Sequence, residues 1–349
     1  MSPVVVGEVQ RAPDSGQSHR LRVGLVLGAG GMVGLAYHAG VMRALDRNSG
    51  LTLSRIDVVV GTSAGSVAAA YLRSGFSADE LWELALGTHP AMEALGATPS
   101  ERRAATAFTP SFATPGQFAG RVVGAGVAVV RSVARMPIPR VPEVLHPFLN
   151  GGLFTMERAA QRFEADLHPT WPEAETAICV VDLGSGRRTV FGPQSSPVSL
   201  CDAVVASCSI PGFYVPKRTG GRTYVDGGVH SPTNLDVAAR LGCDLIVGVA
   251  PMAYDPADEV APWVRVARRI GNGALRSEAR IARARGAEVL LIRPTMQDIA
   301  VQGVNFMRAS GAEPVARVAY EVVSRLLETD RFRLTLDELS QRSSATAVL

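Results

Sequence analysis

Short, nearly unbroken apolar runs alternate along this chain with stretches in which apolar residues recur every three or four positions. Leu21 to Leu27 and Ile56 to Val60 are rich in Val, Leu and Ile with little alternation, the pattern of strands buried on both faces of a parallel sheet. Each runs through glycines into helical spacing. Gly28 to Gly34 is followed by Leu35, His38, Val41, Met42 and Leu45, and the second run leads into a helix expected from about Ser63 to Arg73, stopped by Ser74-Gly75. Ser77 to Glu80 has the shape of a capping box and opens a short helix through about Leu86. Thr155 to Arg158 starts another helix, Thr176 to Val181 resumes the sheet, and a Gly184-Ser185-Gly186 turn before Arg188 to Phe191 predicts a hairpin. Further strands are predicted at Thr223 to Val225, Asp244 to Val249 and Glu288 to Ile292. Helices are predicted at Ser199 to Ser207, Leu235 to Leu241, Pro262 to Gly286 and Pro314 to Leu327. This order describes an α/β protein with a doubly wound, mostly parallel sheet flanked by helices.

The periodicity loosens in three places. Residues 1–20 are polar and lack the apolar centre of a secretory signal, so they read as a disordered leader, and residues 331–349 read as a C-terminal tail. Residues 96–152 carry many of the prolines around the apolar run Val122 to Val130, and read as a cap or lid insertion over the sheet. What remains, residues 21–330, is one α/β domain. Hydrophobic residues at 47% against 19% charged are those of a globular core, and no run of eighteen apolar residues occurs, which predicts a cytoplasmic protein with peripheral membrane contact at most. The four cysteines form no CxxC pair and read as buried, reduced thiols. A net charge of +3 is too mild to indicate nucleic acid. Local charge is more telling: the basic helix at 262–286 carries Arg265, Arg268, Arg269, Arg276, Arg280, Arg283 and Arg285 against the single acid Glu278, a face suited either to solvent or to anionic lipid.

Chemistry concentrates at Gly61-Thr62-Ser63-Ala64-Gly65, which sets a serine at a strand-to-helix corner. Gly61 and Gly65 let strand and helix approach closely, and the helix N-terminus offers free N–H groups to an oxyanion. The glycine loop after the first strand has two readings. A dinucleotide site needs an acidic residue ending the second strand, but that strand ends in Gly61-Thr62-Ser63 and its aspartate, Asp57, stands at the beginning. The alternative is a donor surface beside the serine, made by the backbone N–H groups of Gly28, Ala29, Gly30 and Gly31. No histidine announces itself as a base. His19 falls in the leader, His38 within a helix, and His89, His146 and His168 beside prolines; only His230 lies near a promising turn. Asp226 is the stronger candidate, because it ends a strand before Gly227 and Gly228, and strand ends at the carboxyl edge of such a sheet are where sites assemble. The same Asp-Gly also suits a plain hairpin turn.

Glycine loop, Gly-Thr-Ser-Ala-Gly elbow and late Asp-Gly-Gly, in that order from Val23 to Val249, resemble the patatin-like phospholipase family, as do Val181-Asp182-Leu183 and Ala206 to Gly212 between them. The resemblance implies a patatin-like three-layer sandwich and a lipid acyl hydrolase with a Ser-Asp dyad: Ser63 the nucleophile, Asp226 the base, and the loop at Gly28 to Gly31 the oxyanion hole. It implies an acyl-serine intermediate, an acyl-lipid substrate, and no metal or organic cofactor. The family loop commonly carries Arg or Lys where this chain has Val33, and after Asp226 Pro232 here precedes Asn234. Two alternatives stand beside the hydrolase: a membrane-associated binding or regulatory protein with weak activity, suggested by Val33, the basic helix and the apolar cap, and an acyltransferase using the same dyad to pass the acyl group to an alcohol.

Overall fold

The computed structural model describes residues 20–90, 111–112, 152, 154–195, 197–308 and 310–329. The expected leader, cap and tail lie outside these residues, apart from Arg20, Ser111, Phe112 and Gly152. Val23–Leu27 (β1) passes through the glycine loop into Gly31–Asn48 (α1), and Val58–Thr62 (β2) into Ala64–Arg73 (α2). Ala78–Leu86 (α3) starts at the expected capping box, in which Ser77 accepts the Glu80 N–H and the Glu80 carboxylate accepts the Ser77 N–H. Ser111–Phe112 (β3) pairs with Phe154–Thr155 (β4), and Glu157–Asp166 (α4) follows. Glu175–Asp182 (β5) and Arg188–Phe191 (β6) form the expected hairpin. Leu200–Ser207 (α5), Lys217–Thr219 (β7), Arg222–Asp226 (β8), Asp236–Arg240 (α6) and Leu245–Val249 (β9) come next. Pro262–Ala284 (α7), Glu288–Ile292 (β10), Met296–Gln302 (α8) and Ala312–Leu327 (α9) follow them.

The main sheet runs β10-β9-β1-β2-β5-β8-β7, with β6 also paired to β5. Because successive strand residues face opposite ways, the unbroken run of β1 needs two cores: Leu25 and Leu27 enter one with α1, α2, α5 and α9, and Val26 enters the other with α6 and α7. The result is helix layers on both faces of the sheet, three layers in all. The five strands from β10 to β5 are parallel, as expected. Beyond β5 the direction reverses, since β8 runs antiparallel to β5 and β7 to β8.

That reversal corrects how Asp226 reaches the site. In a parallel strand the last residue would point out of the carboxyl edge, whereas β8 enters from beyond that edge and ends inward. Asp226 pairs with Val180, one position past Cys179, the partner of Thr62 at the end of β2. The aspartate therefore stops level with the elbow. All four cysteines are free thiols, three of them buried. Among the described residues no helix is long and apolar enough to cross a membrane.

Candidate active site

Ser63 sits between β2 and α2 at φ 52° and ψ −120°, a left-handed position that a side chain rarely adopts and that costs on the order of 1–3 kcal/mol. Three bonds hold it there. Its N–H donates to Ser207 Oγ at 2.9 Å, and Ser207 Oγ in turn donates to the Cys179 carbonyl at 2.7 Å. Its carbonyl accepts from the Ser66 N–H at 2.8 Å and from Ser66 Oγ at 2.6 Å. Gly65 is required by a close approach: a Cβ there would overlap the Leu27 carbonyl at the end of β1, so any side chain would push the elbow off the glycine loop. Ser207 lies in the Ala206 to Gly212 stretch that resembles the family, but its role as the acceptor of the Ser63 N–H, like that of Ser66, had no signal in the sequence.

Asp226 is buried, and the Ser63 hydroxyl lies near enough to its carboxyl to act on its pKa. Oδ1 accepts the Gly228 N–H at 2.7 Å. Burial pushes the carboxyl up from 3.8 to about 6, against the lowering effect of the Ser63 hydroxyl and the Gly228 N–H. The carboxylate is thus ionised at neutral pH yet more basic than an exposed one. Gly227 lies so close to β5 that a Cβ would overlap the Cys179 carbonyl.

Asn234, which the sequence singles out only by its order after Pro232, joins the two halves of the site. It has a positive φ of 53°, and its Nδ2 donates to Thr62 Oγ1 at 3.1 Å and to the Ser231 carbonyl at 2.7 Å. Arg188 bonds Asn234 Oδ1 at 3.0 Å and the Asp236 carboxylate through two nitrogens, at 2.6 and 2.7 Å. The Asp226 loop is therefore fastened to the end of β2. His230, the rival base, is exposed, and among the described residues no hydrogen bond joins its ring to Ser63 or Asp226.

The glycine loop differs from expectation in two of its four donors. Gly28 N–H donates to the Val249 carbonyl at 2.9 Å and Ala29 N–H to the Pro232 carbonyl at 2.7 Å, so both are engaged in holding the loop. Among the described residues the N–H groups of Gly30 and Gly31, and that of Ala64 after the serine, meet no acceptor. The free donors thus lie at the starts of α1 and α2, and a Cβ placed on Gly34 of α1 would lie 3.7 Å from that of Ala64. His38 is fully buried rather than a surface histidine. Its Nε2 lies 2.7 Å from the Gly28 carbonyl, and burial lowers its pKa to about 4, so the neutral ring donates. Val33 is buried, and its N–H donates to the Phe306 carbonyl at 3.1 Å, which ties the loop to the segment after α8.

A serine in a strained strand-to-helix turn, set beside a buried carboxylate and flanked by helix-end N–H groups that meet no acceptor among the described residues, has the arrangement of a serine hydrolase. The chain belongs to the patatin-like phospholipase family, whose model matches residues 25–239, more than half its length. That is a family of lipid acyl hydrolases. Among solved structures the chain is similar to VipD from Legionella pneumophila, at 14% identity over 88% of this chain and 67% of that one, with a TM-score of 0.41. It is similar also to the type III effector ExoU, at 16% identity over 92% of this chain and 53% of that one, with a TM-score of 0.35. The ExoU–SpcU complex of Pseudomonas aeruginosa matches at 17% over 95% of this chain and 60% of that one, again at 0.35. The chain thus spans little more than half the length of the ExoU chains it matches.

Proposed function

We propose that the protein is a serine acyl-ester hydrolase acting on lipids, of the phospholipase A or lysophospholipase type, working through an acyl-Ser63 intermediate. The observation that carries this reading is the strained Ser63 elbow set beside a buried Asp226 whose pKa is raised to about 6. Asp226 accepts the Ser63 proton as Oγ attacks the ester carbonyl. The N–H groups of Gly30, Gly31 and Ala64 receive the oxyanion, a term worth about 3–4 kcal/mol per donor. Collapse of the intermediate expels the alcohol, which takes the proton back from Asp226. Water then gives a proton to Asp226 as it attacks the acyl-serine, and collapse releases the acid while the leaving Ser63 Oγ takes that proton back from Asp226. The test is hydrolysis of a chromogenic acyl ester and of phospholipid by the wild type, Ser63→Ala and Asp226→Asn. Turnover abolished in both variants, with unchanged circular dichroism, supports the reading; full activity in either one overturns it.

A second reading concerns where the lipid is met. The outward face of α7 exposes Val266 at 75% and Ile270 at 44%, beside the exposed Arg265 and Arg269. The one acid of the helix, Glu278, is buried, and its carboxylate accepts the Leu235 N–H. Such a face suits an anionic membrane surface. Co-sedimentation with anionic vesicles, lost on Val266→Asp, supports peripheral docking; no binding at low salt removes it.

A further inference from the structure

At the open edge of the sheet, far along the chain from the serine elbow, α7, α9 and β10 enclose a cavity of about 480 Å³. Among the described residues β10 pairs only with β9, so its outer side faces this space. Arg276 and Arg283 reach it from α7, Arg293 from the end of β10, and Arg325 from α9, while the only carboxylate in its wall is Asp255. Four guanidinium groups against one carboxylate leave a formal excess of three positive charges. Like charges drawn into one concavity repel, and a fold keeps them together at a cost unless an anion completes the set.

The partners of these arginines leave much of their donor capacity free. Asp255 is taken by Arg293 at 2.8 Å, and Arg293 Nε is buried with no acceptor among the described residues. Arg325 bonds only the neutral Gln297. Arg276 has no hydrogen-bond or ion-pair partner among the described residues, and Arg283 reaches only the Val289 carbonyl, at 3.3 Å. That last contact caps the strand edge, which argues against a docked peptide strand and for a compact ligand. The rest of the wall mixes apolar side chains such as Leu275, Leu291 and Leu326 with the polar Asn272, Thr295 and Thr329.

We infer that this cavity binds a phosphate-bearing group, gripped by Arg276, Arg283, Arg293 and Arg325. Planar guanidinium groups converging from three elements match phosphate oxygens in paired bonds, which lysine would not. The cavity shares no residue with the Ser63 and Asp226 site, so the inference stands independently of the hydrolase reading.

The test titrates the full chain with sodium tripolyphosphate by calorimetry. In parallel it is co-sedimented with phosphatidylcholine vesicles with and without phosphatidic acid. Arg276→Ala and Arg325→Ala are compared with Arg187→Ala and Arg218→Ala, exposed arginines before β6 and on β7 that belong neither to the cavity nor to the α7 face, and melting curves check that each variant folds. Tripolyphosphate binding weakened about tenfold by each cavity variant and unchanged by the controls supports a soluble phosphorylated ligand. Binding only to the phosphatidic acid vesicles, lost in the cavity variants and kept in the controls, supports a lipid headgroup as the source. Binding in neither assay overturns the inference. So does binding that the cavity variants leave intact, or that the control variants weaken equally, since diffuse surface charge would then account for it.

Discussion

The two strand-to-helix junctions at the centre of the sheet, β1 into α1 and β2 into α2, share a plan and differ in what holds them. At the first, every constraint comes from elsewhere in the chain. Val249 and Pro232 accept from Gly28 and Ala29, Phe306 accepts from Val33, and His38 donates to the Gly28 carbonyl. At the second, the strain is local: Ser63 occupies a left-handed turn, and its own neighbour Ser66 together with Ser207 keeps it there. Among the described residues the first junction is a shaped backbone with two N–H groups that meet no acceptor, and the second is a strained backbone turn beside a buried carboxylate. Gly65, against the Leu27 carbonyl, is the point where the two meet. Damage to one junction should therefore look different from damage to the other.

The largest expected effect is on the chemistry of the second junction alone. Asp226→Asn keeps an oxygen to accept the Gly228 N–H but removes the base, and should lower turnover by about 10³-fold with the melting temperature little changed. Initial rates and calorimetry on one sample check both halves. Gly65→Ala should injure both junctions at once, destabilising the fold by about 3 kcal/mol in urea unfolding because the obstacle is backbone rather than a movable side chain. Breaking the first junction alone, His38→Phe leaves the Gly28 carbonyl buried and unpaired. About 1–3 kcal/mol of stability should go, with turnover reduced while Ser63 stays reactive to a small acylating probe. An equal loss of probe reactivity in that variant would show that the two junctions are not separable.

The smallest effect is one of pH. The folded carboxyl of Asp226 keeps its proton up to about 6, where an unfolded chain releases it near 3.8, so the native state binds more protons between these values. Stability from this group accordingly falls as pH rises across that window and is level above it, while turnover rises through about 6 as the base ionises. Asp226→Asn should flatten its share of the stability profile. A wild-type rate that is level from pH 4.5 to 8 would deny Asp226 the role of base.

The strands and helices that carry the site were legible because their signals are local. Glu288–Ile292 matches its apolar run at both ends, and α2 begins one residue after the serine expected to open it. Gly61 to Gly65 and Asp226 to Gly228 could be singled out because close backbone approach demands glycine. The direction of β8 was not legible, since a five-residue strand reads alike whichever way it runs, and that direction decides why Asp226 stops beside Ser63. Nor were the supports at Ser207, Asn234 and His38, whose partners lie 144, 172 and 10 residues away and leave no periodic trace. The loss of Gly28 and Ala29 as oxyanion donors has the same cause: their acceptors, Val249 and Pro232, belong to segments more than two hundred residues downstream. The helix α8 escaped notice because seven residues show too little period, although Thr295 and Asp298 cap it.

The most direct test of the serine elbow is covalent. The full chain is treated with a fluorophosphonate at pH 7.5, and the modified peptide is located by mass spectrometry in the wild type, Asp226→Asn and Ser63→Ala. A single adduct on Ser63, formed much more slowly in Asp226→Asn and missing from Ser63→Ala, is the predicted result. Labelling of Ser63→Ala at the wild-type rate, or labelling of Ser63 that ignores the loss of Asp226, would contradict it.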